Sequence, residues 1–191
     1  MSAIESIQAD RLLDFRPAVD MWWEITKPAV ETEGEYLETI NHIGPSRGGP
    51  PVHLHQTAAE TFDVVEGRLG VLMDGSWTAL HPGEAITVPA GTPHTVDNRS
   101  GEPVVFVNTH RPALRFEQMF REMHALADAG KLTLPPRNPR AMIYGAMLFV
   151  KYKNEQRVIK PPQAVFNTIA RLGRTLGLRL DGTVTSTHSA R

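Results

Sequence analysis

Four residues have side chains suited to holding a metal ion, at spacings that could bring them together: His53, His55, Glu60 and His94. One residue separates His53 from His55, so on a strand both point to the same face. Glu60 shares its parity with Phe62 and Val64 on the next strand, and His94 opens a later strand that must run beside the first two. Imidazole nitrogens with one carboxylate suit a borderline divalent ion, Fe, Mn, Co, Ni or Zn. Three neutral imidazoles and one carboxylate leave such a centre net positive, so water or an anionic oxygen donor can take its open positions. Taken singly, each residue has a plainer reading: surface or core histidines, and a solvated glutamate. Taken together, with glycine and proline breakers at fixed places around them, they point to one divalent ion per chain.

The rest of the sequence narrows the chemistry. Cysteine is absent, which excludes a disulfide, a thiolate ligand and a thiol nucleophile. No Ser-His-Asp order, phosphate loop or dinucleotide fingerprint appears. Gly48 and Gly49 precede an all-β region, so they do not build a phosphate cradle. Any chemistry therefore falls to the metal, and no catalytic residue beyond the ligands is assigned. His110 and Arg111 are placed just after the last strand. Arg111 is read as a solvated strand end, with pairing to an anionic substrate as the alternative. His42 and His81 sit near breakers and are expected to face solvent. Trp22 and Trp23 should face opposite sides of one strand.

The elements that must position the four residues are short strands cut by turns. Strands are expected over residues 18–26, 35–43, 61–65, 69–73, 76–80, 85–88, 94–97 and 103–109. The stretch GPSRGGPP, Asp74-Gly75, His81-Pro82-Gly83 and Pro89-Ala90-Gly91 separate them. This spacing describes a small all-β barrel or sandwich and leaves no room for crossover helices. After Arg111 the period changes. Phe116, Met119, Phe120, Met123 and Ala127 lie at helical spacing before Gly130, and Met142, Ile143, Ala146, Met147 and Val150 mark a second helix. A third begins after Pro161-Pro162, with Val165, Phe166, Ile169, Leu172 and Leu176 on one face. The division expected is a barrel with an N-terminal arm over residues 1–111, a helical extension over 112–180 and a polar tail over 181–191.

The segment HLHQTAAETFDVVEG resembles the first signature of the cupin superfamily, through His53, His55, Glu60 and Gly67. GEAITVPAGTPHTVDN resembles the second, through Gly83, Pro89, Gly91, His94 and Asn98. The resemblance covers residues 36–109. It implies a mostly β fold, a cupin-type antiparallel β-barrel (double-stranded β-helix) with C-terminal α-helices, and it implies that the three histidines and the glutamate are metal ligands. One departure stands at the front: Arg47 takes a position where the family has glycine, with Gly48 and Gly49 following, so a shifted turn is expected there. Gly83 and Gly91 should serve tight turns, Pro89 should end a strand, and Asn98 either ties down a turn or caps a solvated strand end. Phe62, Val64 and Val96 share the ligands' parity and either wall a pocket or fill the core.

The resemblance implies a metal-dependent small-molecule enzyme. An oxygenase-like reaction of an enol, diketone or phenolic compound with O2 is favoured, with Fe or Mn, and Glu60 would stay a ligand or swing off as a base. Non-redox isomerisation, cyclisation or decarboxylation, and plain ligand binding without turnover, are the alternatives. Net charge is -1, which gives no reason to expect nucleic acid. Acidic residues outnumber basic ones 16 to 7 up to Arg111, and basic outnumber acidic 13 to 5 after it. An acidic barrel held against basic helices is expected, within the chain or across a homodimer. Residues 1–15 lack the pattern of a leader, and no run reaches the roughly 20 apolar residues that span a bilayer. No membrane partner and a cytoplasmic location are therefore expected.

Overall fold

The computed structural model describes residues 10–45 and 47–180, and the backbone alone at residue 47. The first nine residues of the expected arm and the expected tail over 181–191 lie outside the described residues. Among the described residues the chain opens with a run of strands: β1 Leu12–Asp14, β2 Met21–Lys27, β3 Leu37–Ile43, β4 Arg47–Gly48, β5 His53–Leu54, β6 Ala59–Glu66, β7 Leu69–Met73, β8 Ser76–Leu80, β9 Ala85–Val88, β10 His94–Asn98 and β11 Val104–Arg111. Helices α1 Phe116–Asp128 and α2 Pro139–Lys151 follow, then β12 Arg157–Val158 and helix α3 Gln163–Thr175.

The strands form two antiparallel sheets. One runs β1-β2-β3-β11-β6-β9; the other runs β12-β5-β10-β7-β8, with β4 also pairing with β10. The fold is the expected antiparallel β-barrel, a double-stranded β-helix, with helices after it. Asp74 and Gly75 both take positive φ, at 48° and 85°, which lets the β7–β8 hairpin turn in two residues with the twist of its strands. Gly49 sits where a Cβ would come within 2.3 Å of the Val96 carbonyl oxygen, and its N–H donates to that oxygen at 2.9 Å. The breaker-rich stretch expected to carry no strand thus supplies the two-residue β4 and then a glycine contact against β10.

Alternation along the strands sorts the interior into layers. On β3 the buried row is Leu37, Thr39, Asn41 and Ile43; on β11 it is Val104, Phe106, Asn108 and His110; on β6 it is Glu60, Phe62 and Val64. Ladder register sets His110 opposite Glu60 and Asn108 opposite Phe62 across β11 and β6. At one end Ile43, Phe62, Val64, Leu69, Val71, Val96, Val104 and Phe106 form an apolar cluster. At the other, Phe15, Ile25, Leu37, Phe116, Phe120, Tyr144 and Leu148 form a second cluster. A polar layer of Thr39, Asn41, Asn108, His110 and Glu60 lies between them.

The second cluster shows how the helical extension docks. Helix α1 lays Phe116 and Phe120 against Phe15 and Trp23 of its own chain, and α2 adds Tyr144 and Leu148. Among the described residues one ion pair, Arg121–Asp10, joins the two charge-biased halves; the other acid–base pairs between charged side chains fall within a half. Apolar burial rather than charge complementarity holds the helices to the barrel. Helix α3 packs on α2, where Gly173 meets Ile143 and Met147. No described helix is long and apolar enough to cross a membrane.

Candidate metal centre

The four residues singled out by spacing converge. His53, His55, Glu60 and His94 each offer a ligand atom, and these atoms lie within 4.8 Å of one another. None is more than 6% exposed. His53 lies on β5 opposite His94 on β10, which fixes that pair by ladder register. His55 follows β5 with the same parity, and Glu60 enters β6 one turn later. Strand alternation aims all four into one space.

Each histidine is oriented through its other ring nitrogen. The Nδ1 atoms of His53 and His94 donate to the carbonyls of Pro51 and Thr92, and His55 Nδ1 donates to Glu155, all at 2.8 Å. With Nδ1 protonated, a neutral ring turns an Nε2 lone pair inward, the form that binds a metal ion. Two of those Nε2 atoms approach one carboxylate oxygen: Glu60 Oε2 lies 2.9 Å from His55 and 2.7 Å from His94. Adjacent ligands on one ion with bonds of about 2.1 Å stand about 3 Å apart. Donor types, ring orientation and spacing all fit a divalent ion.

The electrostatics point the same way. Burial would raise the Glu60 carboxyl, but the rings of His110 and His55 hold it well below the usual carboxylate range, so it is a carboxylate. Burial, and then the neighbouring His94 and His55, keep His53 well below the ordinary histidine range. At His94 burial works against the charge, and the hydrogen bond and charge of Glu60 outweigh it, so its pKa is raised.

Several neighbours of the site were placed by parity or turn chemistry, and their roles are now defined. Phe62 is buried with its ring edge toward His94 and packs on Phe106, and Val64 and Val96 join the same core cluster; all three fill the core. Asn98 ties its turn down: its Nδ2 donates to Ile43, Gly44 and Glu102 carbonyls, and the residue is fully buried. Gly83 and Gly91 take φ of 83° and 81°. Pro89 follows the end of β9. Trp22 and Trp23 do face opposite sides. Trp23 packs on Phe15 and Phe120, and Trp22 stacks on His42 at 3.4 Å. His42 is therefore half-buried under an indole rather than solvent-facing, while His81 is exposed.

Two corrections concern β11. It continues through His110 and Arg111 rather than ending before them. Arg111 is exposed, paired with Glu35 and stacked over Tyr36, so it is the solvated strand end. His110 is 3% exposed, and its Nε2 lies 3.2 Å from Glu60 Oε1; Asn108 Nδ2 donates to the same oxygen at 2.9 Å. Neither was singled out as part of the site. The signal was present in VVFVNTHR, where two polar residues replace apolar ones in the inward row.

The helical extension also enters the site. Glu155, which holds His55, lies between α2 and β12, and β12 pairs with β5 at Leu54 and His53. Phe116 of α1 sets its ring 4.8 Å from His55, edge to face, and 4.1 Å from His110. Helix α1 and the segment carrying Glu155 and β12 both reach the cluster.

Residues 40–110 match the family model Cupin_2, a cupin domain. A quercetin 2,3-dioxygenase of Bacillus subtilis (strain 168) is 28% identical over 158 residues, 83% of this chain, and the chain spans 44% of that protein's length. Among solved structures, a protein of Thermus thermophilus is 28% identical with a TM-score of 0.40, covering 42% of this chain and 75% of its own. KdgF from Halomonas sp. is 17% identical with a TM-score of 0.45, covering 51% and 84%.

Proposed function

From the cupin domain that residues 40–110 form, we propose a metal-dependent small-molecule enzyme in which His53, His55, Glu60 and His94 hold one divalent transition metal per chain. The carrying observation is the convergence of three Nε2 atoms and one carboxylate oxygen, each histidine fixed by a carbonyl at 2.8 Å on its far nitrogen. The reaction proposed is oxidation of an enol, diketone or phenolic-type substrate by O2, with Fe or Mn as the ion. The likeness to a quercetin 2,3-dioxygenase supports this choice of class. The ion would supply charge stabilisation for a bound enolate oxygen and a redox centre for O2.

The chain's own residues do the positioning. The carbonyls of Pro51, Thr92 and Glu155 keep the three imidazoles in the metal-binding tautomer. Asn108 and His110 hold the outer oxygen of Glu60. Phe62 on one side and Phe116 on the other exclude water and lower the local dielectric. A homodimer belongs to the same reading and is checked by sedimentation.

Oxygen uptake tests the reaction. Protein loaded with Fe or Mn is expected to consume O2 in step with loss of a flavonol or β-diketone, and to stop under argon. Conversion at the same rate under argon would replace oxygenation with a non-redox metal-assisted reaction. Binding of these compounds with no turnover on either metal would leave a binding protein.

A further inference from the structure

We propose that Asn108 and His110 form a clamp that commits Glu60 to one role, a ligand presenting Oε2 alone, and withholds it from service as a mobile base. This rests on reading Glu60 as a metal ligand and goes on to say how it binds. The two oxygens of the carboxylate face different partners. Oε2 faces the Nε2 atoms of His55 and His94 at 2.9 and 2.7 Å. Oε1 faces the barrel wall, where Asn108 Nδ2 stands at 2.9 Å and His110 Nε2 at 3.2 Å.

The clamp is itself anchored. Asn108 Nδ2 also donates to the Thr61 carbonyl at 3.2 Å, so the amide is braced against the strand that carries Glu60. The ladder sets His110 directly opposite Glu60, and Phe116 and Phe120 pack on the His110 ring at 4.1 and 5.5 Å. Its Nδ1 is buried with no hydrogen-bond partner among the described residues. A charged ring would bury an unpaired N–H there, whereas a neutral ring protonated at Nε2 leaves a lone pair. The neutral tautomer that leaves no buried unpaired N–H carries its proton on Nε2, which stands 3.2 Å from Glu60 Oε1. For Glu60 to swing away, Asn108 would keep only the Thr61 carbonyl and His110 Nε2 would lose its carboxylate neighbour, with both residues buried. Asn108 and His110 are positioning residues, acting on the reaction through Glu60.

Titration with Co(II), followed by its visible absorption bands and by competition with a chelator, tests this without any substrate. Asn108→Leu and His110→Leu are each expected to weaken Co(II) binding by about 10- to 100-fold and to shift the bands as the carboxylate changes its mode. His110→Gln, which returns an N–H donor, should restore most of the wild-type spectrum. Asn108→Asp, nearly identical in shape, sets a second carboxylate against Oε1 and should disturb the bands even where the leucine variants fail to fold. Folded Asn108→Asp and His110→Gln proteins, checked by circular dichroism, that keep wild-type bands and affinity alongside an undisturbed leucine variant would overturn the clamp alone. An undisturbed Asn108→Asp protein would overturn it by itself if neither leucine variant folds. Wild-type protein that gives no Co(II) bands at all would overturn the ligand reading of Glu60 and the clamp with it.

Discussion

His53 and His94 are held differently from His55, and the contrast divides the molecule. The first two donate Nδ1 to carbonyls two residues back, Pro51 and Thr92, within their own turns. His55 donates to Glu155, a hundred residues further along the chain. Two of the four candidate ligands are thus oriented by short segments of the barrel that carry their own geometry. The third is oriented by the helical extension, which reaches the site by pairing β12 with β5 and by laying Phe116 on the His55 ring. The barrel brings the ligand atoms together; the extension fixes one of them and closes the space around it. An extension of this kind is part of the candidate site rather than an appendage to it.

The contrast can be broken by substitution at three depths. Removal of a barrel ligand should have the largest effect. His94→Ala, or His53→Ala, is expected to lower metal affinity by more than about a hundredfold, beyond the loss that follows from disturbing a supporting hydrogen bond. Elemental analysis of purified proteins reads this, and equal metal content in wild type and both variants would remove the assignment. Phe116→Ala reaches the site from the extension. Phe116 is fully buried between α1, His55 and His110, so the cavity should cost about 3–5 kcal/mol in chemical denaturation. Metal affinity should fall as well, but by less than for a lost ligand. An unchanged affinity would mean that the extension does not support the centre. Gly173→Ala should have the smallest effect. Its Cβ would come 2.5 Å from Ile143 Cγ2 and 2.8 Å from Met147 Sδ, so α3 must shift on α2 at a cost of about 1–3 kcal/mol. The site lies on the other side of α2, so metal content should stay at the wild-type level. Loss of metal there would extend the centre's support to the last helix.

What sequence alone revealed follows the same division. The convergence of His53, His55, Glu60 and His94 was legible because alternation, an HxH pair and fixed glycine and proline breakers all act over a few residues. The same local rules placed the β7–β8 hairpin at Asp74-Gly75 and the stop of β9 before Pro89. Three helices were visible as apolar stripes, Phe116 to Ala127 among them. Long-range contacts were not legible. Nothing local marks Glu155 as the partner of His55, because its contribution is a backbone carbonyl, which any residue supplies. The two-residue β12 is too short to show a period of its own. His42 was misplaced because its cover, Trp22, belongs to a neighbouring strand. Asn108 and His110 went unread for a different reason: parity put them inside the barrel, but a polar residue on an inward row gains meaning only when its cross-strand partner is known to be Glu60. The opposed charges of the two halves were legible but explained little, since one ion pair bridges them among the described residues and phenylalanine packing joins them.

The central claim is that side chains from β5, β6 and β10 meet on one ion. Anomalous diffraction at the metal's absorption edge, on crystals of the metal-loaded protein, tests it most directly. One peak per chain is expected, within about 2.0–2.3 Å of the Nε2 atoms of His53, His55 and His94 and of Glu60 Oε2. A peak bound elsewhere, or one that leaves His94 or Glu60 outside its ligand shell, would contradict the account.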